Sequence, residues 1–215
     1  MTTTMAATLI EADSSPLHRL RHHNTTVWVT MLIASVASLV ASFVLSIDAI
    51  ALAANPSADL GCNINAVISC GTVGTSWQAS LLGFPNAFLG LMFEAAVITL
   101  AVASLGGVRF PRWFMLSAQA VYTIALLFAY WLFEQAMFEI GALCPWCLLV
   151  TLATTLVFFE LTYVNIRDDN LLLPRRLQNA LTGFVQSNLD IMLVVAWLLV
   201  LVLAVVLKYG DALFA

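Results

Sequence analysis

The sequence predicts an all-α membrane protein with five transmembrane helices and a cytoplasmic amino terminus. Of its 215 residues, 62% are hydrophobic and 9% are charged, whereas soluble domains carry about 25% charged residues. The apolar residues fall in five runs of roughly the 20 residues or more that a helix needs to cross a bilayer. A water-soluble globule is excluded, and a net charge of −4 gives no reason to expect a nucleic-acid-binding surface.

The chain begins with a polar segment, residues 1–26, which we predict to be a cytoplasmic tail. The first apolar run, residues 27–54, is predicted to be the first membrane helix. A cleaved signal peptide ending near Ala51-Leu52-Ala53 is the alternative, since these residues resemble a cleavage site. The apolar region of a signal peptide is about 7–15 residues long, so the greater length of this run favours a retained helix.

Residues 55–84 form a polar loop after the first helix. In its second half, Trp77, Leu81 and Phe84 recur at i, i+4 and i+7, a spacing that predicts a short amphipathic helix. Such a helix would lie on the bilayer surface and cover the mouth of the bundle.

Four further apolar runs predict the remaining membrane helices. These are residues 86–105, 113–138, 144–166 and 189–207. A charged connection at residues 167–188 precedes the last helix and is predicted to be cytoplasmic. The last helix is apolar on all sides, which favours a peripheral position against lipid; residues 189–215 comprise this helix and a short outer tail.

The basic residues predict the orientation. One side of the membrane receives Arg19, Arg21, Arg109, Arg112, Arg167, Arg175 and Arg176, and the other receives Lys208. Because cytoplasmic connections carry the excess of Lys and Arg, the amino terminus is predicted to be cytoplasmic. The connections at residues 55–84 and 139–143 are then on the outer side.

All four cysteines fall on the outer side in this topology, which does not depend on them. Cys62 and Cys70 lie in the first outer loop, and Cys144 and Cys147 lie at the start of the fourth helix. Disulfides form and persist outside the cytoplasm. Two cysteine pairs in this place indicate disulfide chemistry rather than inert thiols.

The sequence Cys144-Pro145-Trp146-Cys147 is a C-x-x-C motif that opens a predicted helix. Proline suits the first helical position, and the helix dipole with its free amides favours a thiolate there. A lowered thiol pKa makes such a motif a redox couple. The four cysteines could instead hold structural zinc or form two static disulfides, but exchange between two pairs is favoured, and no metal is expected.

A relay of two pairs has a physical logic. The loop pair is expected on a mobile segment that soluble proteins can reach, and the motif pair is expected at the helix mouth beside the lipid. Exchange between the pairs would carry two electrons along the membrane surface without a diffusing thiol. A lipid-soluble quinone is the natural acceptor inside a bilayer.

A few acidic residues fall within the apolar runs. Glu94 lies inside the second helix, where an ionisable side chain is a functional candidate. It would either relay a proton to the quinone or be protonated and hydrogen-bonded inside the bundle, and the second role is favoured. Asp48, Glu134 and Glu160 lie nearer the helix ends, where snorkelling to the interface accounts for them.

With this arrangement of cysteines, the chain resembles the vitamin K epoxide reductase family over about residues 27–166. The resemblance is carried by the Cys62-x7-Cys70 spacing, the string Ala66-Val67-Ile68-Ser69-Cys70, Ser76 six residues after the second loop cysteine, Asn86 at the start of the second helix, and Cys144-x-x-Cys147. The other bacterial quinone-linked thiol oxidase of similar size carries its C-x-x-C in the first outer loop and its spaced pair in the second. The order of the pairs therefore favours the former family.

The resemblance implies a four-helix catalytic bundle at residues 27–166, with the outer loop 55–84, around a quinone that is menaquinone or ubiquinone. It also implies a role for each cysteine. Cys147 would face the quinone, Cys144 would exchange with Cys70, and Cys62 would meet the protein partner.

Three further residues are implied as quinone-binding or supporting residues. Asn86 would donate a hydrogen bond to a quinone oxygen, although an Asn at a helix start is also a common cap. Ser76 would support the relay or cap the loop. Thr151 stands where vertebrate members carry a tyrosine that helps to bind the vitamin K headgroup. Because threonine is shorter and cannot stack, plain quinone reduction is expected rather than epoxide reduction.

The resulting hypothesis is a membrane thiol:quinone oxidoreductase that promotes disulfide formation in exported proteins. Its implied partner is an extracytoplasmic thioredoxin-fold thiol oxidase acting in trans, since the chain stops at Ala215 without the thioredoxin-like domain of some bacterial relatives. We expect a multi-pass protein of a bacterial cell membrane with its active site on the extracytoplasmic face. The alternatives are a quinone or vitamin K epoxide reductase and a structural protein with static disulfides; a transporter is disfavoured because the sequence shows no repeated halves.

Overall fold

The structure is a computed structural model and describes residues 24–213. The predicted cytoplasmic tail, with Arg19 and Arg21, lies almost wholly outside the described residues, as do residues 214–215 of the predicted outer tail. From residue 24 to residue 213 the chain forms helices and loops without a β-strand, apart from one isolated parallel bridge between Ile68 and Leu143. The predicted all-α membrane class is confirmed.

Seven α-helices are present in the described part of the chain. They are α1 (Asn24–Ala54), α2 (Cys70–Gly74), α3 (Ala87–Leu105), α4 (Arg112–Gln135), α5 (Pro145–Arg167), α6 (Arg175–Gln186) and α7 (Leu189–Leu213). A 3-10 turn, Trp77–Ser80, follows α2, and a π-helical turn, Ala136–Ile140, extends α4. Five helical segments are long and apolar enough to cross a membrane, as predicted: Thr25–Ala54, Ala87–Leu105, Arg112–Ile140, Pro145–Arg167 and Leu189–Gly210.

The first four spans pack as a bundle in which α1 and α5 are the inner helices. α1 packs along both α3 and α5, and α4 packs along α5, whereas α3 and α4 make at most isolated contacts. Buried apolar side chains such as Met31, Val157 and Leu161 fill the interface between α1 and α5. Gly90 lets α3 approach α1 closely, because a Cβ atom there would collide with the Ser42 hydroxyl. Such close approach is common where membrane helices pack through small residues.

The fifth span, α7, lies at the periphery, as predicted. Most of its apolar side chains are exposed, which suits a surface that faces lipid. Two hydrogen bonds attach it to the bundle. Trp197 Nε1 donates to the Tyr130 hydroxyl at 2.7 Å, and the Tyr209 hydroxyl donates to the Met137 carbonyl at 2.8 Å.

The outer loop differs from its prediction. The amphipathic helix expected over Trp77, Leu81 and Phe84 is only a single 3-10 turn, and the loop's α-helix is instead the five-residue α2. Gly83 adopts a left-handed conformation with φ of 82°, which a helix that ran on to Phe84 could not contain. The three apolar side chains remain exposed.

The connection at 167–188 contains an additional amphipathic helix, α6. Its apolar residues recur at helical spacing: Leu177, Leu181, Phe184 and Val185. This spacing in the sequence indicates an amphipathic helix, although the segment was predicted only to be a charged connection. Leu181, Phe184 and Val185 pack against the end of the bundle that lies opposite the cysteines.

Candidate functional site

The structure brings the four cysteines together at one end of the bundle. Cys62 and Cys70 form a disulfide, while Cys144 and Cys147 are free thiols. The Cys144 sulfur lies 3.4 Å from the Cys70 sulfur. This is close to van der Waals contact between two sulfurs, so a thiolate of Cys144 is placed to attack the disulfide at Cys70.

Cys70 is positioned by the hydrogen bonds that start α2. Ser69 caps the helix, with its hydroxyl oxygen accepting from the Thr72 amide at 3.2 Å. The Asn63 side-chain oxygen accepts from the Gly71 amide at 2.9 Å and from the Ser69 hydroxyl at 3.1 Å. The loop therefore holds Cys70 at the first position of α2 with its side chain 3% exposed.

Cys144 caps α5, as the sequence predicted for the first cysteine of the motif. Its sulfur accepts a hydrogen bond from the Cys147 amide at 3.3 Å, and Pro145 occupies the first helical position. The pKa of the Cys144 thiol is lowered by a hydrogen bond from the Cys147 thiol and by the amides of Cys147 and Trp146, which together outweigh its burial and the negative charge of Asp48. Since the thiolate is the nucleophile in disulfide exchange, these contacts activate Cys144.

A cavity of about 530 Å³ opens beside the free thiols, within the size range of small-molecule sites. Its wall is mostly apolar and is formed by α1, the outer loop, α3, α4 and α5. Lining residues include Leu45, Cys70, Asn86, Phe93, Glu94, Tyr122, Phe128, Leu132, Phe133, Cys144, Cys147, Leu148, Thr151 and Thr154. Among the described residues, α6 and α7 contribute nothing to this wall.

The three residues implied as quinone-binding all line the cavity. Asn86 Nδ2 donates to the Gln78 carbonyl at 2.6 Å, and its Oδ1 is buried without a hydrogen-bond partner among residues 24–213. The Ser76 hydroxyl donates to the Val73 carbonyl at 2.7 Å but does not cap the 3-10 turn. The Thr151 hydroxyl donates to the Cys147 carbonyl at 3.0 Å.

The loop pair is less accessible than the sequence suggested. Cys62 is 9% exposed and Cys70 is 3% exposed, because Leu52 and Leu60 pack over the disulfide in a small apolar cluster. Cys62 is also absent from the cavity wall. The Cys62 sulfur is therefore reached from outside only if part of the outer loop is displaced.

Sequence reasoning missed Asp48, which was expected to snorkel to the interface. Its Oδ2 lies 3.7 Å from the Cys62 sulfur, and it lines the cavity together with Leu45 and Leu52. The spacing of these residues, i, i+3 and i+7, places them on one helical face and could have revealed the position. Asp48, Cys62 and Cys70 carry metal-ligand atom types within 4.8 Å of one another, but the two sulfurs are bonded to each other.

Three acidic residues, Glu94, Glu160 and Asp190, are buried among the residues that the structure describes. Glu94 lies inside the bundle, where the Tyr122 hydroxyl donates to its carboxyl at 3.1 Å. This agrees with the favoured prediction of a hydrogen-bonded residue. The hydroxyls of Ser35 and Ser38 lie close to the same carboxyl group. Glu160 is 7% exposed, so its predicted snorkelling to the interface is wrong.

The fold and this site define a class: a multi-pass membrane protein whose redox-capable cysteines meet beside an apolar cavity. The model of the Vitamin K epoxide reductase family matches residues 29–162, more than half of the chain. The chain therefore belongs to the vitamin K epoxide reductase family, as its resemblance suggested, and membership makes it an oxidoreductase. A search of curated proteins finds no match to the chain.

Proposed function

We propose that the protein is a thiol:quinone oxidoreductase. It takes electrons from an extracytoplasmic thioredoxin-fold partner, passes them through the two cysteine pairs to a membrane quinone, and so promotes disulfide formation in exported proteins. One observation carries the proposal: the Cys144 sulfur lies 3.4 Å from the disulfide-bonded Cys70 sulfur, while Cys144 and Cys147 also line a cavity that reaches into the bundle.

The proposed electron path consists of thiol–disulfide exchanges. A partner thiolate attacks Cys62 and releases Cys70, and the second partner thiol then frees Cys62 as a thiol. Cys70 attacks Cys144 of the Cys144–Cys147 disulfide and releases Cys147. Cys62 next attacks Cys70, which closes the Cys62–Cys70 disulfide and leaves Cys144 and Cys147 reduced. The described state, with its loop disulfide and two free motif thiols, corresponds to this point.

The motif pair completes the cycle by reforming its disulfide. Two electrons and two protons then pass to a quinone in the cavity, which departs as quinol. The apolar wall suits a ring with an isoprenoid tail, and menaquinone and ubiquinone share these features. Because α3 and α4 make at most isolated contacts, we propose that the quinone enters the cavity from the lipid between these two helices.

The side chains at the cavity support simple quinone chemistry. Asn86 uses one amide hydrogen on the Gln78 carbonyl, so the second remains for a quinone oxygen. Thr151 already donates its proton to the Cys147 carbonyl, which leaves only its lone pairs free to accept. It cannot take the role of the longer vertebrate tyrosine, and this favours quinone over epoxide as the substrate.

The charge distribution supports an active site on the extracytoplasmic face of the membrane, which we propose to be a bacterial cell membrane. Arg109, Arg112 and Arg167 lie at the end of the bundle opposite the cysteines, at the turns that join the spans. Lys208 lies at the cysteine end, with its ammonium 3.9 Å from the centre of the Phe138 ring. The excess of arginine at one end marks that end as cytoplasmic.

The experiment is quinol formation by the purified protein with a menaquinone or ubiquinone analogue and a reduced thioredoxin-fold donor. We expect Cys62→Ala, Cys70→Ala, Cys144→Ala and Cys147→Ala each to abolish turnover. Ser104→Ala, which removes a buried hydroxyl far from the cysteines, is the control and should retain it. Undiminished quinol formation by Cys147→Ala would exclude the proposed path.

A second measurement tests the order of exchange. In Cys147→Ala, Cys144 can still attack Cys70 of the loop disulfide, and no Cys147 thiol is present to release Cys144 again. Alkylation of the freed Cys62 blocks its return, so peptide mapping without reductant should then detect a Cys70–Cys144 disulfide. Finding only Cys62–Cys70 after alkylation would contradict the order.

A further inference from the structure

Asp48 places a carboxyl group among the sulfurs of the relay. Its Oδ2 is 3.7 Å from the Cys62 sulfur, and the side-chain atoms of Asp48, Cys62 and Cys70 that carry lone pairs lie within 4.8 Å of one another. Cys144 adjoins the same group, 3.4 Å from Cys70. A carboxylate that only reached for the membrane surface would point to the headgroups, whereas Asp48 is half-buried and lines the cavity.

We propose that Asp48 is the general base for the exchange in which Cys62 attacks Cys70 and releases Cys144. The inference rests on the proposed exchange between the two cysteine pairs and adds the group that moves the proton. A general base must lie within hydrogen-bond reach of the proton that it takes, and Asp48 meets this condition at the Cys62 sulfur.

The step is balanced without another reactant. At its start, Cys70 and Cys144 share a disulfide, Cys62 is a thiol and Asp48 is a carboxylate. The Cys62 proton passes to Asp48 as the Cys62 sulfur bonds to Cys70. The Cys70–Cys144 bond breaks, and Cys144 departs with the electron pair as a thiolate. One disulfide replaces another, and one negative charge moves from Asp48 to Cys144.

The surroundings of Cys62, which loses the proton, and of Cys144, which receives the negative charge, both suit this step. Cys62 needs a base, because a free thiol with a pKa of about 8.5 is mostly protonated at neutral pH and the thiolate is the nucleophile. Cys144 receives the charge where the Cys147 thiol and backbone amides stabilise an anion. The described positions of Asp48, Cys62, Cys70 and Cys144 are those of the products of this step.

A carboxylate beside a thiol can also slow the exchange, which is opposite to the effect of a general base. Its negative charge repels a thiolate on Cys62, so a carboxylate that acts through its charge alone makes release of Cys62 harder. Removing it would then accelerate the exchange. Loss of a proton-transfer group would slow the exchange, and the direction of the change separates the two roles.

The Cys147→Ala protein isolates the step in reverse. Starting from the Cys62–Cys70 disulfide, Cys144 attacks Cys70 and releases Cys62, to which Asp48 returns the proton. Iodoacetamide traps each released Cys62, and at high reagent concentration the initial rate of Cys62 labelling equals the opening rate. The initial rate is used because iodoacetamide also alkylates free Cys144 and so removes the attacking thiol. Mass spectrometry of peptides measures the label on Cys62.

We expect Asp48→Asn in this background to slow Cys62 labelling about 100-fold, at the lower end of general acid–base contributions. Asp48→Glu keeps the carboxyl group and should retain most of the rate. Asp59→Asn removes an exposed carboxyl from the same outer loop and is the matched control, with an unchanged rate. A protein with both Cys144→Ala and Cys147→Ala should show no labelling, because it lacks the attacking thiol.

An unchanged or faster rate in Asp48→Asn overturns the proposal. If Asp48→Asn does not retain the Cys62–Cys70 disulfide, Asp48→Glu is compared instead with Asp48→Gln, because their side chains are of equal size. Equal labelling rates in these two variants also overturn the proposal. The assay contains no quinone and no protein donor. A failure of the proposed quinone reduction is therefore distinguishable from a failure of the role of Asp48.

Discussion

Ile68 and Leu143 pair as an isolated parallel bridge that joins the two cysteine segments. The Ser69 amide donates to the Leu143 carbonyl at 3.0 Å, and the Leu143 amide donates to the Val67 carbonyl at 2.7 Å. Cys70 and Cys144 follow this bridge almost directly in the chain. Two backbone hydrogen bonds therefore hold together cysteines that are far apart in sequence.

The first prediction tests this bridge through Asn65, whose side-chain oxygen accepts from the Val67 amide at 2.9 Å and from the Ile68 amide at 2.7 Å. Asn65→Ala removes this acceptor and should loosen the loop, at a cost of about 1 kcal/mol for each hydrogen bond. In a protein that keeps only Cys70 and Cys144, we expect slower formation of their disulfide under mild oxidation. Asn65→Asp retains an acceptor and is the control; equal rates in both variants would contradict the role of the loop.

The membrane helices could be predicted from sequence because their signal is length and composition. The spans observed at Thr25–Ala54, Ala87–Leu105 and Pro145–Arg167 differ from the predicted boundaries by only a few residues. Cysteine clustering could also be predicted, because topology alone brought the four residues to one side. The bridge at Ile68 and Leu143 could not, since a single pair of residues leaves no periodic pattern.

The directions in which two acidic side chains point could not be predicted from the sequence. Asp48 and Glu160 were both predicted to snorkel, because each lies near the end of an apolar run. Which way such a side chain points depends on the rotation of its helix, and a helix that is apolar on nearly all sides carries little record of that rotation. The structure turns Asp48 toward Cys62 and buries Glu160.

The second prediction concerns the thiol of Cys144. Its pKa is lowered mainly by the hydrogen bond from the Cys147 thiol, so its thiolate forms at lower pH than that of an ordinary cysteine. In a background with Cys62→Ala and Cys70→Ala, we expect Cys147→Ala to shift the pH profile of Cys144 alkylation to higher pH. Cys147→Ser retains a hydroxyl donor and should shift it less. A profile that moves to lower pH in Cys147→Ala would show that this hydrogen bond does not stabilise the thiolate.

The third prediction concerns the hydrogen bond between Tyr122 and Glu94, which joins α4 to α3. Glu94→Ala leaves the buried Tyr122 hydroxyl without its acceptor, and an unsatisfied buried polar group costs about 1–3 kcal/mol. We expect a lower unfolding temperature in lipid nanodiscs for Glu94→Ala. Glu94→Gln keeps a carbonyl acceptor and should remain close to the parent. Equal destabilisation by both substitutions would indicate that the carboxyl group itself, rather than the hydrogen bond, supports the bundle.

The fourth prediction separates quinone binding from loop support at Asn86. Asn86→Ala removes the amide hydrogen proposed for a quinone oxygen, and loss of one hydrogen bond of about 1.4 kcal/mol weakens binding about tenfold. We expect the KM for the quinone to rise by this factor with a smaller change in kcat. Cys62 labelling, which needs no quinone, should stay unchanged when the variant is combined with Cys147→Ala. Gln78→Ala is the matched control for loop support, because it removes the hydrogen bond of the Gln78 side chain to Gln135 but keeps the backbone carbonyl that Asn86 binds. If Gln78→Ala raises the KM equally, or if Asn86→Ala slows Cys62 labelling, Asn86 acts by supporting the loop rather than by binding the quinone.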